Sequence, residues 1–152
     1  MKKNSGSILI EAILGLAIAI TLITAIVTAL ISSLSSSSFS RNQSIASGYA
    51  QEGIELVRSI RDVDYSTLSG YQDGVYCFNP SYVLGNCPET INDSGSTFSR
   101  KIEISKTNPK CTSSIYVASI VTWKDAKCRS NDECHKVELN TCLINLDYVQ
   151  LP

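Results

Sequence analysis

The chain of 152 residues contains one histidine, one tryptophan, one methionine and three phenylalanines. It has no G-x-S-x-G nucleophile elbow and no glycine-rich loop that would cradle a phosphate. A Cys–His nucleophilic pair would need a partnerless thiol beside the lone His135 and a third, orienting group, and no paired-carboxylate site stands out. The expectation is a protein that is not an enzyme and needs no cofactor. Charge of either sign is scarce in one region: between Lys3 and Arg41 the only charged side chain is Glu11. The 13 basic and 14 acidic residues leave a formal charge of −1. That balance argues against nucleic acid as a direct ligand, which calls for a basic surface.

The charge-poor region contains the run Ile8–Ile31, which has no proline, lysine or arginine. Its polar members are Glu11, Thr21, Thr24 and Thr28, and a helix can satisfy threonine hydroxyls through its own carbonyls. At 1.5 Å per residue the run spans roughly 36 Å, enough to cross a hydrocarbon core of roughly 30 Å. A cleavable secretory signal has an apolar core of only about 7–15 residues. The run therefore reads as a membrane-spanning helix. Lys2 and Lys3 precede it, which places its N-terminal end in the cytoplasm and the C-terminal part of the chain outside.

Serines dominate the next stretch, with Ser35–Ser38 at its centre. Beyond it, apolar residues recur at Ala46, Ala50, Gly53/Ile54, Val57 and Ile60, the steps of three and four of an amphipathic helix. Arg41, Gln51, Glu55, Arg58 and Asp62 are left for the wet side. Serine costs a helix only a few tenths of a kcal/mol, so one continuous helix of roughly 55 residues is expected. Gly48 and Gly53 would each weaken it by roughly 1 kcal/mol, with close approach to a packed sheet as the compensation.

After Asp62 the pattern shifts to short β-type runs, with candidate strands at Gly74–Phe78, Thr97–Ser105, Ser114–Lys124 and Lys136–Ile144. Asn79–Pro80, Asn92–Gly95 and Asn108–Pro109 punctuate them. Four strands without intervening helices predict an antiparallel sheet covered by the amphipathic half of the helix, an α+β fold.

The first residues, MKKNSG-SILIEAILGL, form the most specific motif. A basic leader ends in Gly6, an apolar run begins at once, and one acid interrupts it at Glu11. A carboxylate inside a bilayer costs roughly 2.5–3.5 kcal/mol on insertion scales, so it calls for a partner. The arrangement resembles the class III signal of type IV pilins and type II secretion pseudopilins. The resemblance implies cleavage after Gly6 by a prepilin peptidase, N-methylation of the new N-terminal Ser7, and assembly through Glu11. The family usually carries phenylalanine at the position of Ser7. Ala50–Asp62 (AQEGIELVRSIRD) is similar to the end of the long helix in minor pilins and minor pseudopilins. Phe98–Ile104, Val121–Trp123 and Lys136–Leu143 are similar to strands of their heads. The absence of a proline in Ile8–Ile31 also favours that branch.

The six cysteines, Cys77, Cys87, Cys111, Cys128, Cys134 and Cys142, all lie in the expected extracytoplasmic head, where oxidation is the default. Fifteen pairings are possible. Loop entropy favours Cys128 with Cys134 and Cys77 with Cys87, which leaves Cys111 and Cys142 for each other. Cys128, Cys134, His135 and Cys142 are ligand types for zinc, but their spacing matches no paired C-x-x-C pattern, so no metal is expected. His135 and the acidic pair Asp132–Glu133 read as parts of a polar turn. Trp123 and the seven tyrosines read mainly as core and sheet-edge packing.

The expected organisation is a cleaved leader over 1–6, a transmembrane and filament-core helix over 7–34, its amphipathic continuation over 35–62 and a disulfide-containing β-sheet head over 63–152. The expected function is that of a minor pilin or pseudopilin subunit. Its partners would be a prepilin peptidase, other pilin subunits, an inner-membrane assembly platform and, before assembly, membrane lipid. The filament could serve adhesion, secretion or DNA uptake. A membrane-anchored extracytoplasmic binding domain that never polymerises is the alternative.

Overall fold

A computed structural model describes residues 5–79, 81–87, 89–93, 95–125, 128 and 134–146, with backbone only for 5–7. The fold is α+β. Helix α1 (Ser5–Val63) runs for 59 residues and is followed by the short helix α2 (Tyr65–Gly70). Among the described residues the strands are β1 (Gly74–Phe78), β2 (Leu84–Gly85), β3 (Thr90–Asp93), β4 (Ser96–Ser105), β5 (Ile115–Trp123) and β6 (His135–Leu143). Compact unit one ends at Ser40, and unit two begins at Arg41.

In the first unit the helix satisfies its threonine hydroxyls internally. Thr21 Oγ1 donates to the Ile18 carbonyl at 2.8 Å, Thr24 Oγ1 to that of Ile20, and Thr28 Oγ1 to those of Thr24 and Ala25 at 3.0 and 2.9 Å. This removes the cost of unpaired polar groups in an apolar surrounding. The helix is long and apolar enough to cross a membrane.

In the second unit the helix lies on an antiparallel sheet of order β2-β1-β4-β5-β6, with β3 also paired to β4. β1 and β3 share one edge of β4: Gly74 faces Ile104, whereas Thr90 faces Ser99. β5 pairs along the other edge, from Phe98 opposite Trp123 to Ser105 opposite Tyr116. The helix face read from periodicity is the buried one, with Ala46, Ala50 and Val57 fully inaccessible and Ile54 nearly so. Ile54 and Val57 join Leu68, Phe78, Ile102, Ile104, Val117 and Leu143 in the main core. Each large side chain fully removed from water contributes roughly 1.5–3 kcal/mol before entropy is counted.

The opposite face of β5 is buried as well. Tyr116 and Ala118 pack with Cys111 there, and Lys110 Nζ lies 5.8 Å from the Tyr116 ring centroid. The sulfurs pair as Cys77–Cys87, Cys111–Cys142 and Cys128–Cys134.

Several expectations need correction. Among the described residues the sheet has six strands rather than four: β2 spans two residues and β3 is short and largely polar, so neither shows a readable alternation. Asn92 and Asp93 belong to β3 rather than to a turn, and Gly95 at φ 81° makes the turn between β3 and β4. Helix α2 was not expected at all. Asp64 caps it by accepting the Ser66 amide at 2.9 Å, and Ser66 and Thr67 hydroxyls bond the same carboxylate. Gly53 does approach the sheet closely, but Gly48 is exposed and a Cβ there would meet nothing within 4 Å. His135 is not in a turn. It opens β6 opposite Trp123 and stacks on that ring at 5.2 Å between centroids.

Candidate functional site

Gly6, Ser7 and Glu11 all fall within α1, whose helical backbone begins at Ser5. Ser7 and Glu11 are four residues apart, one turn and roughly 6 Å along the axis. Glu11 is exposed, as are its apolar neighbours: Ile8, Leu9, Ile10, Ile13 and Leu14 are 60–69 % accessible. Lys2 and Lys3 lie outside the described residues. So much exposed aliphatic surface is consistent with a single membrane-spanning helix.

The second unit holds a charged site that the sequence pattern did not single out. β4 alternates Phe98, Arg100, Ile102 and Ile104 on one face, so Arg100 occupies a core position and is 2 % exposed. Its guanidinium is bidentate on Glu89: Nη2 reaches Oε1 at 2.6 Å and Nε reaches Oε2 at 3.2 Å. Nη1 lies 3.3 Å from Glu52 Oε2 and 3.4 Å from the Tyr49 carbonyl oxygen. The guanidinium carbon stands 5.3 Å from the Phe78 ring centroid. A buried charge needs this degree of pairing, because its desolvation is otherwise too costly. The periodicity of β4 was the signal that could have found it: an arginine between Phe98 and Ile102 must either break the pattern or be buried with partners.

These groups line a cavity of about 570 Å³ together with Tyr82 and Asn86. Nearby, the Tyr49 hydroxyl donates to Asp93 Oδ2 at 2.9 Å, and its ring lies 5.7 Å from that of Phe98. Burial, followed by the hydrogen bond and negative charge of Asp93, holds the Tyr49 phenol above its ordinary range.

Around β5 and β6, ligand atoms of Asp125, Cys128, Cys134 and His135 gather within 4.8 Å of one another. Both sulfurs are bonded to each other, and His135 Nε2 lies 3.0 Å from Asp125 Oδ2. Thiolates are the species that bind zinc, so a disulfide leaves this group without its sulfur donors. Cys142, the fourth ligand type considered from sequence, is bonded to Cys111. Asp132 and Glu133 lie outside the described residues.

No protein family, no curated protein and no solved structure matches this chain.

Proposed function

We propose that the chain is a pilin-like structural subunit, without enzymatic activity, that passes from the cytoplasmic membrane into a helical filament. The observation that carries this reading is the exposed apolar surface of α1 interrupted by the single carboxylate of Glu11, four residues after Ser7. Cleavage after Gly6 would create an ammonium, methylated or free, at Ser7. In a bundle of staggered helices that cation on one subunit neutralises Glu11 on its neighbour, offsetting the cost of a carboxylate in a low-dielectric core. The remaining partners in this reading are a prepilin peptidase, an assembly platform and other pilin subunits. Its head lies outside the cytoplasm, where its six cysteines oxidise.

The test compares wild type, Gly6→Phe and Glu11→Gln for N-terminal mass, membrane level and content in sheared filaments. Wild type should begin at Ser7, Gly6→Phe should stay uncut, and Glu11→Gln should be cut and inserted but lost from filaments. A wild-type chain that keeps its leader beside an active prepilin peptidase, or a Glu11→Gln chain that assembles normally, would refute the proposal. The latter outcome fits a permanently anchored binding domain instead.

A further inference from the structure

Tyr82 combines three features that core packing does not require. Its backbone sits in the left-handed region at φ 58°, where a bulky side chain is strained. The residue is 59 % exposed. It also forms part of the wall of two hollows, the Arg100 cavity and an apolar hollow of about 300 Å³ beside Ile60, Tyr71 and Leu84.

The neighbours impose this conformation. Asn79 Oδ1 accepts the amides of Ser81 and Val83, each at 2.9 Å, and the Tyr82 amide donates to the Asn79 carbonyl oxygen at 2.9 Å. The Cys77–Cys87 disulfide closes the segment from both sides.

The adjoining cavity has a definite charge. The Arg100 side chain is 3 % exposed and its charge is matched by Glu89, itself largely covered. Glu52 is the accessible member, with 43 % of its side chain exposed. Two carboxylates face one guanidinium, so one negative charge remains, and the exposed Glu52 is the carboxylate open to a ligand. The walls add the aromatic rings of Tyr49, Phe78 and Tyr82 and the amides of Asn79 and Asn86. A carboxylate beside aromatic rings attracts cations and repels anions. Low-dielectric walls concentrate that field.

We infer that this cavity binds a cationic group, an alkylammonium of the kind carried by a lysine side chain, with Glu52 as its ion-pair partner and Tyr82 as its aromatic wall. The inference does not depend on filament assembly.

Isotope-labelled full-length protein in detergent micelles, titrated with Nα-acetyl-lysine methylamide, tests it by NMR. Shifts should localise to Glu52, Tyr82 and Asn86, with a dissociation constant in the millimolar range typical of one side chain. The neutral isostere Nα-acetyl-norleucine methylamide should bind about tenfold more weakly, and so should the lysine probe to Glu52→Gln. n-Butylammonium distinguishes sources: equal binding identifies a small free amine, and weaker binding a polypeptide side chain. Tyr82→Asn removes the ring yet tolerates the left-handed backbone, so it should lower affinity without lowering the unfolding midpoint. Equal affinity for the lysine and norleucine probes, shifts located elsewhere, or unchanged binding by Glu52→Gln or Tyr82→Asn would overturn the inference.

Discussion

Gly53 of α1 sits directly over the cross-strand pair Ile102 and Ser119. A Cβ at Gly53 would overlap Ser119 Oγ and meet Ile102 Cδ1 at 3.0 Å and Ser119 Cβ at 3.2 Å. Ser119 is itself fully buried, and its hydroxyl oxygen has no hydrogen-bond partner among the described residues. The helix gives up propensity here so that its backbone can lie against the sheet.

Gly53→Ala should therefore destabilise the head by about 1–3 kcal/mol, because overpacking outweighs a helix-propensity gain of about 1 kcal/mol. Gly48→Ala, on the open side of the same helix, should instead stabilise by about 0.4–1 kcal/mol. Ser119→Ala alone should be neutral or stabilising, since it removes a buried unpaired hydroxyl, and it should relieve part of the Gly53→Ala penalty. Urea unfolding of the full-length variants in micelles, followed by Trp123 fluorescence, measures all four.

The Arg100–Glu89 pair should behave as a buried ion pair. Arg100→Met should cost about 3–5 kcal/mol by leaving the Glu89 carboxylate without its partner. The double variant Arg100→Met/Glu89→Met should recover much of that loss, since the uncompensated charge goes with it. The same unfolding assay reads the coupling; additive losses would show that the pair acts independently.

The three disulfides should differ in worth according to the chain each closes. Separations of 31, 10 and 6 residues apply to Cys111–Cys142, Cys77–Cys87 and Cys128–Cys134. The chain-entropy relation gives about 3.7, 2.7 and 2.2 kcal/mol in that order. Paired Cys→Ala variants, unfolded under oxidising conditions, should lose stability in that sequence. Cys111 also packs with Tyr116 and Ala118, which widens the lead of its disulfide.

Acid sensitivity should come in part from Asp73. Its carboxylate accepts the Lys106 amide at 3.0 Å and the hydroxyls of Ser105 and Thr107, each at 2.9 Å, tying the start of β1 to the end of β4. Those hydrogen bonds, the Lys106 amide first, hold its pKa below the usual carboxylate value of 3.8. With the folded pKa depressed, the unfolded chain binds more protons. This contribution is complete above the unfolded pKa and disappears as pH falls through the folded one. Melting curves between pH 7 and pH 2 should show a shallower acid decline for Asp73→Asn, from a lower starting stability. Identical slopes would count against it.

The long helix, its buried face and four of the six strands were legible because each repeats a period: 3.6 residues for Ala46, Ala50, Ile54 and Val57, and two for β4 and β5. The expected bounds of Gly74–Phe78 are the observed ones, and those of β4, β5 and β6 differ by one residue at one or both ends. β2, β3 and α2 are not legible: two residues of β2 show no period, β3 is largely polar, and α2 is fixed by its Asp64 cap rather than by a pattern. In the motif, the spacing of Gly6, Ser7 and Glu11 along one helix follows from sequence alone. In the head, Arg100 was hidden because a one-dimensional pattern shows that a charge interrupts an apolar face, but not which carboxylates meet it there.

The sequence by itself determined that an apolar segment begins immediately after Gly6, that one acid lies within it, and that a cysteine-bearing β region follows an amphipathic helix. These are properties of composition and local period, carried by contiguous residues. Only the tertiary structure decided that Arg100 is buried against Glu89 and Glu52, that Gly53 lies over Ser119, and that Tyr82 is held outward between two hollows. Each of these joins residues distant in the chain, and their energies come from distance and desolvation, which exist only once the helix and sheet have been brought together.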